Sequence, residues 1–234
     1  MNPQNRKLFA GDYFERIAVM ILMIFLVSVV QMPVILIAKG HFRLTVEIAL
    51  GVGYLIGFAL VIMLANYFYH RYANPEKKQF TGNDFKLIIL GYAGLIASQM
   101  VFGVLHQFIE GRTTTQNNDL IQSLLSSNKI ALVLMAFSAV FLSPILEELI
   151  FRGILIGGFF NKNQYVLPII ISGLIFSSLH NATFDLISIL IYATMGGIFA
   201  YLYIRTQDIR VSMGLHFLNN LIAMGLLVVP MVMK

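Results

Sequence analysis

Long apolar runs separated by short polar links constrain the fold of this 234-residue chain more than any other sequence feature. The runs are about 20 residues long or longer, which is the length that an α-helix needs to cross a hydrocarbon layer roughly 30 Å thick. Only 12% of the residues are charged, against roughly 25% in soluble domains. Backbone polar groups in lipid must bond within their own segment, so each run is expected to be helical. The sequence therefore predicts an all-α membrane protein and excludes a soluble core.

Hydropathy predicts seven membrane segments, so we expect a polytopic transmembrane helical bundle of about seven to eight helices. The segments are 17–38, 46–69, 87–109, 130–160, 165–180, 185–204 and 211–233. The first begins too late and runs too long for a cleaved signal peptide. Within one continuous membrane domain we distinguish the amino-terminal helices and links, residues 1–129, from a catalytic core, residues 130–234.

The distribution of lysine and arginine predicts the orientation. Ten of these residues, including Arg6 and Lys7, fall on the amino-terminal side of the segments, and five, including Lys234, fall on the other side. The positive-inside rule then places the amino terminus in the cytoplasm and, after seven spans, the carboxyl terminus outside. Because the basic residues have this topological role, nucleic acid is not expected as a partner, and the expected surroundings are a lipid bilayer. The short chain, with its minimal loops and its lysine, asparagine and isoleucine residues, favours a bacterial plasma membrane.

Three ionisable residues interrupt the fourth segment: Glu147, Glu148 and Arg152 in "SPILEELIFRG". Charged groups at membrane depth are costly, so each one is a functional-site hypothesis. Glu148 and Arg152 are four residues apart and share a helix face, which predicts an ion pair. Glu147 points about 100° away and is left without a partner. A purely structural charge cluster would account for the pair but not for Glu147.

Two histidines and an amide lie on the following segments. His180 ends the fifth segment, and His216 in the seventh has Asn220 one turn later, with Asn219 as the competing partner. The hairpin of segments four and five turns at 161–164, so Glu147 and His180 should face each other, and a rise of 1.5 Å per residue brings His216 to a similar depth. We therefore expect an active site in a cytoplasm-facing intramembrane cavity.

Two further polar positions lie outside this set. The link after His180 is too short for a regular turn, so irregular backbone around Asn181 and Asp185 is expected to line the wet cavity. His106 and Glu110, one turn apart near the end of segment three, are interpreted as a solvated ion pair at the membrane interface and are left out of the site.

The residue types of this set suit the hydrolysis of a peptide bond or another acyl bond. A carboxylate can accept a proton from water, while imidazole and amide donors stabilise the developing oxyanion. Two histidines and a glutamate, here Glu147, His180 and His216, are also the ligand set of a catalytic zinc with an open position. Both mechanisms stay open. Cysteine is absent, which excludes thiol nucleophiles, and the zincin, serine and aspartyl intramembrane-protease motifs are absent as well.

Three motifs in chain order resemble the CPBP family, the CAAX-protease and bacteriocin-processing family also called Abi, which is related to the type II CAAX prenyl endopeptidases. They are E-E-x-x-x-R from Glu147 to Arg152, F-x-x-x-H from Phe176 to His180, and H-x-x-x-N from His216 to Asn220. The resemblance covers roughly residues 130–230. It implies an intramembrane endopeptidase in which Glu147 and His180 activate water.

By the same resemblance, His216 and Asn220 hold the oxyanion, and Glu148 and Arg152 orient the helix. The family has been described both as metallopeptidases and as metal-free glutamate proteases, so a zinc cofactor and none are equally compatible with it. The implied substrate is a membrane-associated peptide or protein, either CAAX-like or a bacteriocin or signalling-peptide precursor. Two alternatives are a non-catalytic membrane scaffold or bacteriocin immunity protein, and a transporter that uses the buried groups as a proton relay.

Overall fold

The computed structural model describes residues 9–181 and 183–233, which contain eight helices joined by short links. We number them α1 (Ala10–Lys39), α2 (Leu44–Ala73), α3 (Gly82–Glu110), α4 (Gln116–Leu125), α5 (Lys129–Phe159), α6 (Val166–His180), α7 (Leu186–Thr206) and α8 (Ile209–Val232). α1 is interrupted at Gln31, just before Pro33, whose nitrogen carries no hydrogen for the helix ladder. The predicted polytopic helical bundle is confirmed.

Six of the eight helices are long and apolar enough to cross a membrane, rather than the seven predicted: α1, α2, α3, α5, α7 and α8. The exception is α6, which has 15 residues and therefore extends only about 22 Å. This is shorter than the hydrocarbon layer, so α6 ends within the bundle. The amphipathic helix α4 was not predicted at all, because its polar face lowers its mean hydropathy below that of a membrane segment.

The links 74–81, 160–165 and 207–208 meet at one end of the bundle, which we call the basic end. Polar contacts join them there: the Lys78 ammonium donates to the Thr206 carbonyl at 2.8 Å, and Lys162 lies 3.2 Å from a carboxylate oxygen of Glu76. The links 40–43 and 111–115 and the link residues 183–185 lie at the opposite, distal end. The structure thus groups the predicted basic links, although Arg6, Lys7 and Lys234 lie outside the described residues.

α5 departs from α-helical geometry in two π-helical stretches, Ser138–Leu142 and Leu149–Ile156, on either side of the glutamate pair. In the first stretch the Ser143 amide donates to the carbonyl of Ser138, five residues back. The carbonyl of Ala139 is thereby released from the helix ladder. Such π-bulges are frequent at functional sites, because they free backbone groups and turn side chains.

α6 and α7 pack against each other at glycines, which sets the position of His180. A Cβ added at Gly173 of α6 would lie 2.5 Å from the carbonyl oxygen of Ala193 in α7. No side chain fits at that distance, so glycine is needed for this approach. The close packing holds α6, and the histidine at its end, beside the centre of α5. The boundary between residues 129 and 130 stays a prediction, since one hydrophobic core includes side chains from both parts.

Candidate active site

Glu147 projects from the centre of α5 between the two histidines, as predicted. Its Oε2 atom lies 4.0 Å from Nε2 of His180 and 3.8 Å from Nε2 of His216. Both distances exceed that of a direct hydrogen bond, and this buried oxygen has no hydrogen-bond partner. A buried carboxylate oxygen without a partner is unfavourable for folding alone. The spacing leaves room for a small polar molecule that bonds to the carboxylate and to an imidazole at once.

The His180 ring is fixed by the end of α6 on which it lies. Its Nδ1 atom is 2.8 Å from the carbonyl oxygen of Phe176, and since a carbonyl only accepts, Nδ1 carries the hydrogen. The ring also stacks between Phe176 and Tyr192, at centroid distances of 4.3 and 4.9 Å. These contacts explain the spacing of the F-x-x-x-H motif. They direct Nε2, the atom available for proton transfer, towards Glu147.

His216 is held by the second glutamate of the pair. Its Nδ1 atom lies 3.0 Å from Oε1 of Glu148, and Oε2 of the same carboxylate lies 3.2 Å from Nε of Arg152. The predicted Glu148–Arg152 ion pair is confirmed, and both side chains are fully buried. The contact from Glu148 to His216 was not predicted. It joins Arg152, Glu148 and His216 in one row of contacts and leaves Nε2 of His216 facing Glu147.

Arg152 is fully buried, and its environment compensates for its charge in two further ways. One guanidinium nitrogen donates to the Gly196 carbonyl of α7 at 2.6 Å. The guanidinium carbon lies 5.3 Å from the ring centres of both Phe176 and Phe199, which is within the range of a cation–π contact. Arg152 therefore fastens α5 to α7 as well as to Glu148, and it acts on His216 through that glutamate.

Asn220 and Asn219 form a chain of amide hydrogen bonds beside the histidines. The Asn220 amide donates to the released carbonyl of Ala139 at 2.8 Å, and the Asn219 amide donates to the Asn220 side-chain oxygen at 3.2 Å. Gln99 of α3 donates in turn to Asn219 at 3.4 Å. Both asparagines line the same cavity as Glu147. One hydrogen of the Asn220 amide is used by Ala139, which fixes the plane of the amide.

These side chains line a cavity of about 580 Å³ inside the bundle. Its deep wall carries Glu147, His180, His216, Asn219 and Asn220. From there the cavity extends towards the distal end, where its lining includes exposed residues of the link 111–115 and of α4. Most of the lining surface is apolar, but polar side chains such as Gln31, Gln99 and Ser143 are spread along it. Such a lining can hold a ligand that has both apolar and polar groups.

The direction of the cavity bears on two of the sequence predictions. The amino-terminal residue of α1 and the basic links lie at one end, whereas the cavity extends towards the other. A distal opening of the cavity would therefore lie on the membrane side opposite the amino terminus. Which side is cytoplasmic, for the amino terminus and for the cavity alike, stays a prediction.

The zinc ligand set predicted as one alternative is not assembled at bonding distances. In a tetrahedral zinc site with bonds of about 2.0–2.2 Å, ligand atoms lie roughly 3.3–3.6 Å apart. Among the described residues, Glu147, His180 and His216 are not a group whose ligand atoms all lie within 4.8 Å of one another. The three ligand atoms are too widely spaced to bind one zinc ion together, so the proposed mechanism uses only the side chains.

In a second polar cluster in the described part of the chain, the ligand atoms all lie within 4.8 Å of one another. It contains His106, and the interpretation of this residue as part of a solvated ion pair is wrong, because its side chain is buried. His106 is only 1% exposed, and Glu110 and Asp185 lie against its ring. Its Nε2 atom lies 3.3 Å from Oε2 of Glu110 and 3.3 Å from Oδ2 of Asp185. Burial raises the pKa of Asp185, but hydrogen bonds from Ser188 and the charge of His106 outweigh it, so the pKa lies below its ordinary value. Hydropathy could not reveal this contact, since Asp185 is 79 positions away in sequence from His106.

Comparison with known proteins supports the three motifs. The model of the Type II CAAX prenyl endopeptidase Rce1-like family matches residues 129–222, which include every residue predicted for the site. No solved structure matches the chain.

Three curated bacterial relatives are similar to the chain. It is 32% identical over 144 residues to "Putative membrane peptidase YdiL" of Bacillus subtilis and 30% identical over 159 residues to "Membrane-embedded CAAX protease MroQ" of Staphylococcus aureus. It is also 30% identical over 147 residues to "UPF0177 protein YvdC" of Lactococcus lactis. The matches cover 62 to 63% of this chain and 57, 62 and 53% of the three relatives, so the chain spans less than two thirds of their length.

The family match and the apolar helices lead to one identification. Six helices able to cross a membrane, with relatives named as membrane peptidases, identify an integral membrane protein. The motifs quoted above all fall inside the matched residues. The predicted resemblance is thus confirmed: residues 129–222 match the model of the Type II CAAX prenyl endopeptidase Rce1-like family.

Proposed function

We propose that this protein is an intramembrane endopeptidase that hydrolyses a peptide bond with water activated by Glu147. The observation that carries the proposal is the buried Oε2 atom of Glu147, which has no hydrogen-bond partner and lies between Nε2 of His180 and Nε2 of His216 at 4.0 and 3.8 Å. A carboxylate in this position can take a proton from a water molecule held against it.

The reaction follows from these positions. Glu147 accepts a proton from water as the hydroxyl adds to the peptide carbonyl, with His180 orienting the water through Nε2. The negative charge then develops on the carbonyl oxygen. The Nε2–H group of His216 and the Asn220 amide donate to this oxygen, which is the usual role of donors in an oxyanion hole. Glu148 holds the His216 ring through Nδ1. Glu147 returns the proton to the leaving nitrogen as the carbon–nitrogen bond breaks.

The substrate we propose is a membrane-associated bacterial peptide or membrane protein. The cavity lies within the helix bundle and is mostly apolar, so it suits an extended segment with apolar side chains better than a folded soluble domain. The relative from Staphylococcus aureus is named a CAAX protease, which supports a peptide bond near a lipid-associated chain end as one class. A bacteriocin or signalling-peptide precursor is the other class.

Cleavage assays with purified protein in detergent test the proposal. The substrates are a prenylated CAAX peptide and a bacteriocin-type precursor, and the variants are Glu147→Gln and Glu76→Gln. Glu76 is a matched control because it forms an exposed ion pair with Lys162. We expect wild type and Glu76→Gln to cut a substrate and Glu147→Gln to fail. Equal cleavage by Glu147→Gln would contradict the proposal. If nothing is cut and Glu147→Gln preserves the cellular phenotype, the protein is a scaffold or immunity protein.

Substrate entry is proposed at the distal end, and single-cysteine labelling identifies the membrane side of that end. The natural chain has no cysteine, so Thr113→Cys at the distal end and Lys77→Cys at the basic end can each be labelled alone in intact cells. Labelling of Thr113→Cys by an impermeant reagent would mean that the amino terminus is cytoplasmic and the cavity faces outward. Labelling of Lys77→Cys instead would mean that the cavity faces the cytoplasm.

A further inference from the structure

We propose that His106, Glu110 and Asp185 form a binding site for one divalent metal ion, such as Zn²⁺, separate from the Glu147 site. We call these three residues the distal cluster, because they lie at the distal end where α3 ends and α7 begins. Among the described residues, theirs are the only ligand atoms of three or more histidine, aspartate or glutamate side chains that all lie within 4.8 Å of one another.

The distances in the distal cluster match those between the ligands of a small divalent ion. Nε2 of His106 lies 3.3 Å from one carboxylate oxygen of Glu110 and 3.3 Å from one of Asp185. Tetrahedral zinc bonds of about 2.0–2.1 Å to nitrogen and oxygen place neighbouring ligand atoms roughly 3.3 Å apart. One imidazole and two carboxylates leave a fourth position for water. The same residue types are too widely spaced around Glu147.

The ring nitrogen of His106 is the second and independent observation. His106 is almost completely buried, and its Nε2 atom has no hydrogen-bond partner in the described part of the chain. Two carboxylate oxygens lie 3.3 Å from this nitrogen, but neither forms a hydrogen bond with it, so the buried nitrogen stays unsatisfied. A metal ion accepts a lone pair from all three atoms and removes this cost.

The surroundings of the distal cluster are built to hold it in place. Asp185 caps α7, with its Oδ1 atom accepting from the Ser188 amide at 2.9 Å and its Oδ2 atom from the Ser188 hydroxyl at 2.7 Å. Hydrogen bonds of this kind orient a carboxylate that binds a metal ion. The Glu110 side chain is 27% exposed, so an ion can reach the site from the distal surface. A bound ion would tie α3 to the link 181–185, which begins directly after His180.

Zinc binding to tag-free purified protein tests the proposal by isothermal titration and by metal content after desalting. The variants are Asp185→Asn, His106→Gln and Glu110→Gln. Asp185→Asn keeps a good helix cap and removes the ligand charge, so it should fold. The controls are His180→Gln in the Glu147 site and His70→Gln, whose ring bonds to the Asn66 carbonyl on an exposed part of α2.

We expect one Zn²⁺ per wild-type chain, with a rise in melting temperature on its addition. Zinc binding should weaken at least about tenfold in the three distal-cluster variants, since losing a ligand costs no less than losing a group that orients one. It should stay unchanged in both controls. Stoichiometric binding that survives in Asp185→Asn and His106→Gln would overturn the proposal. So would binding that is lost in His180→Gln, because the ion would then belong to the Glu147 site. An absence of binding to wild type would overturn it as well, while leaving the cleavage assays with Glu147→Gln to decide the endopeptidase proposal.

Discussion

The Glu147 site and the distal cluster use the same residue types along one cavity, but they differ in how closely their atoms approach. Around Glu147 the carboxylate and imidazole atoms are 3.8 to 4.0 Å apart, and each histidine is fixed through Nδ1 by a protein acceptor. In the distal cluster the corresponding separations are 3.3 Å. Spacing, rather than residue type, thus separates a site suited to holding water from one suited to holding a metal ion.

The largest effect that we expect separates the two sites by activity. Glu147→Gln should lower the rate of peptide cleavage by about 10²–10⁴-fold, the contribution of a positioned proton acceptor. The same variant should still bind Zn²⁺ as wild type does, because Glu147 is not part of the distal cluster. Parallel measurements of cleavage and zinc binding check both statements. A variant that loses both properties would show that the two clusters act as one site.

Arg152→Ala should destabilise the folded protein by about 3–5 kcal/mol, since it leaves Glu148 buried without its partner. The matched control is Arg71→Ala, which removes an exposed ion pair with Glu15 and should cost about 1 kcal/mol or less. Thermal unfolding in detergent compares the two. If the melting temperature of Arg152→Ala equals that of wild type, the buried pair does not support the Glu147 site.

Asn220→Ala should lower turnover by about 10²-fold, which is the cost of losing one oxyanion donor. Asn219→Ala is the control, because its amide donates to Asn220 rather than to a reacting atom and its loss should cost less. Cleavage kinetics of both variants measure the difference. Equal losses would remove the distinction and would assign the two amides a shared structural role.

Gly173→Ala should cost about 1–3 kcal/mol, because the added methyl meets the backbone of Ala193, which cannot move aside as a side chain can. Gly197→Ala is the control, since its nearest contact is a side-chain atom of Ile169 at an ordinary 3.5 Å. Unfolding in detergent checks both. If Gly173→Ala is as stable as wild type, the close packing of α6 and α7 does not fix the position of His180.

The sequence predicted the core of the Glu147 site because its pattern is local. The spacing of four between Glu148 and Arg152 places both on one helix face, and the hairpin of α5 and α6 brings His180 opposite Glu147 by symmetry alone. These expectations need only helix geometry and the direction of each segment. For the same reason the all-helical membrane bundle was predictable from hydropathy.

Other contacts depend on tertiary structure that no periodicity encodes. The bond from Glu148 to His216 joins residues of two helices that are 68 positions apart, and the Ala139 carbonyl that binds Asn220 lies in the π-helical stretch Ser138–Leu142. The contact between His106 and Asp185 also joins residues that are far apart in the chain. α4 was missed because an amphipathic helix of ten residues has no hydropathy signal of a membrane segment.

The most direct test of the central claim, that Glu147 activates water without a shared metal, is the structure of the protein bound to a peptide phosphinate. The tetrahedral phosphorus of this inhibitor carries two oxygens in the positions of the attacking water and of the oxyanion. We predict one oxygen within hydrogen-bond distance of Glu147 and His180, and the other near His216 and Asn220. An ion bonded to Glu147, His180 and the phosphinate, or an inhibitor bound away from Glu147, would contradict the account.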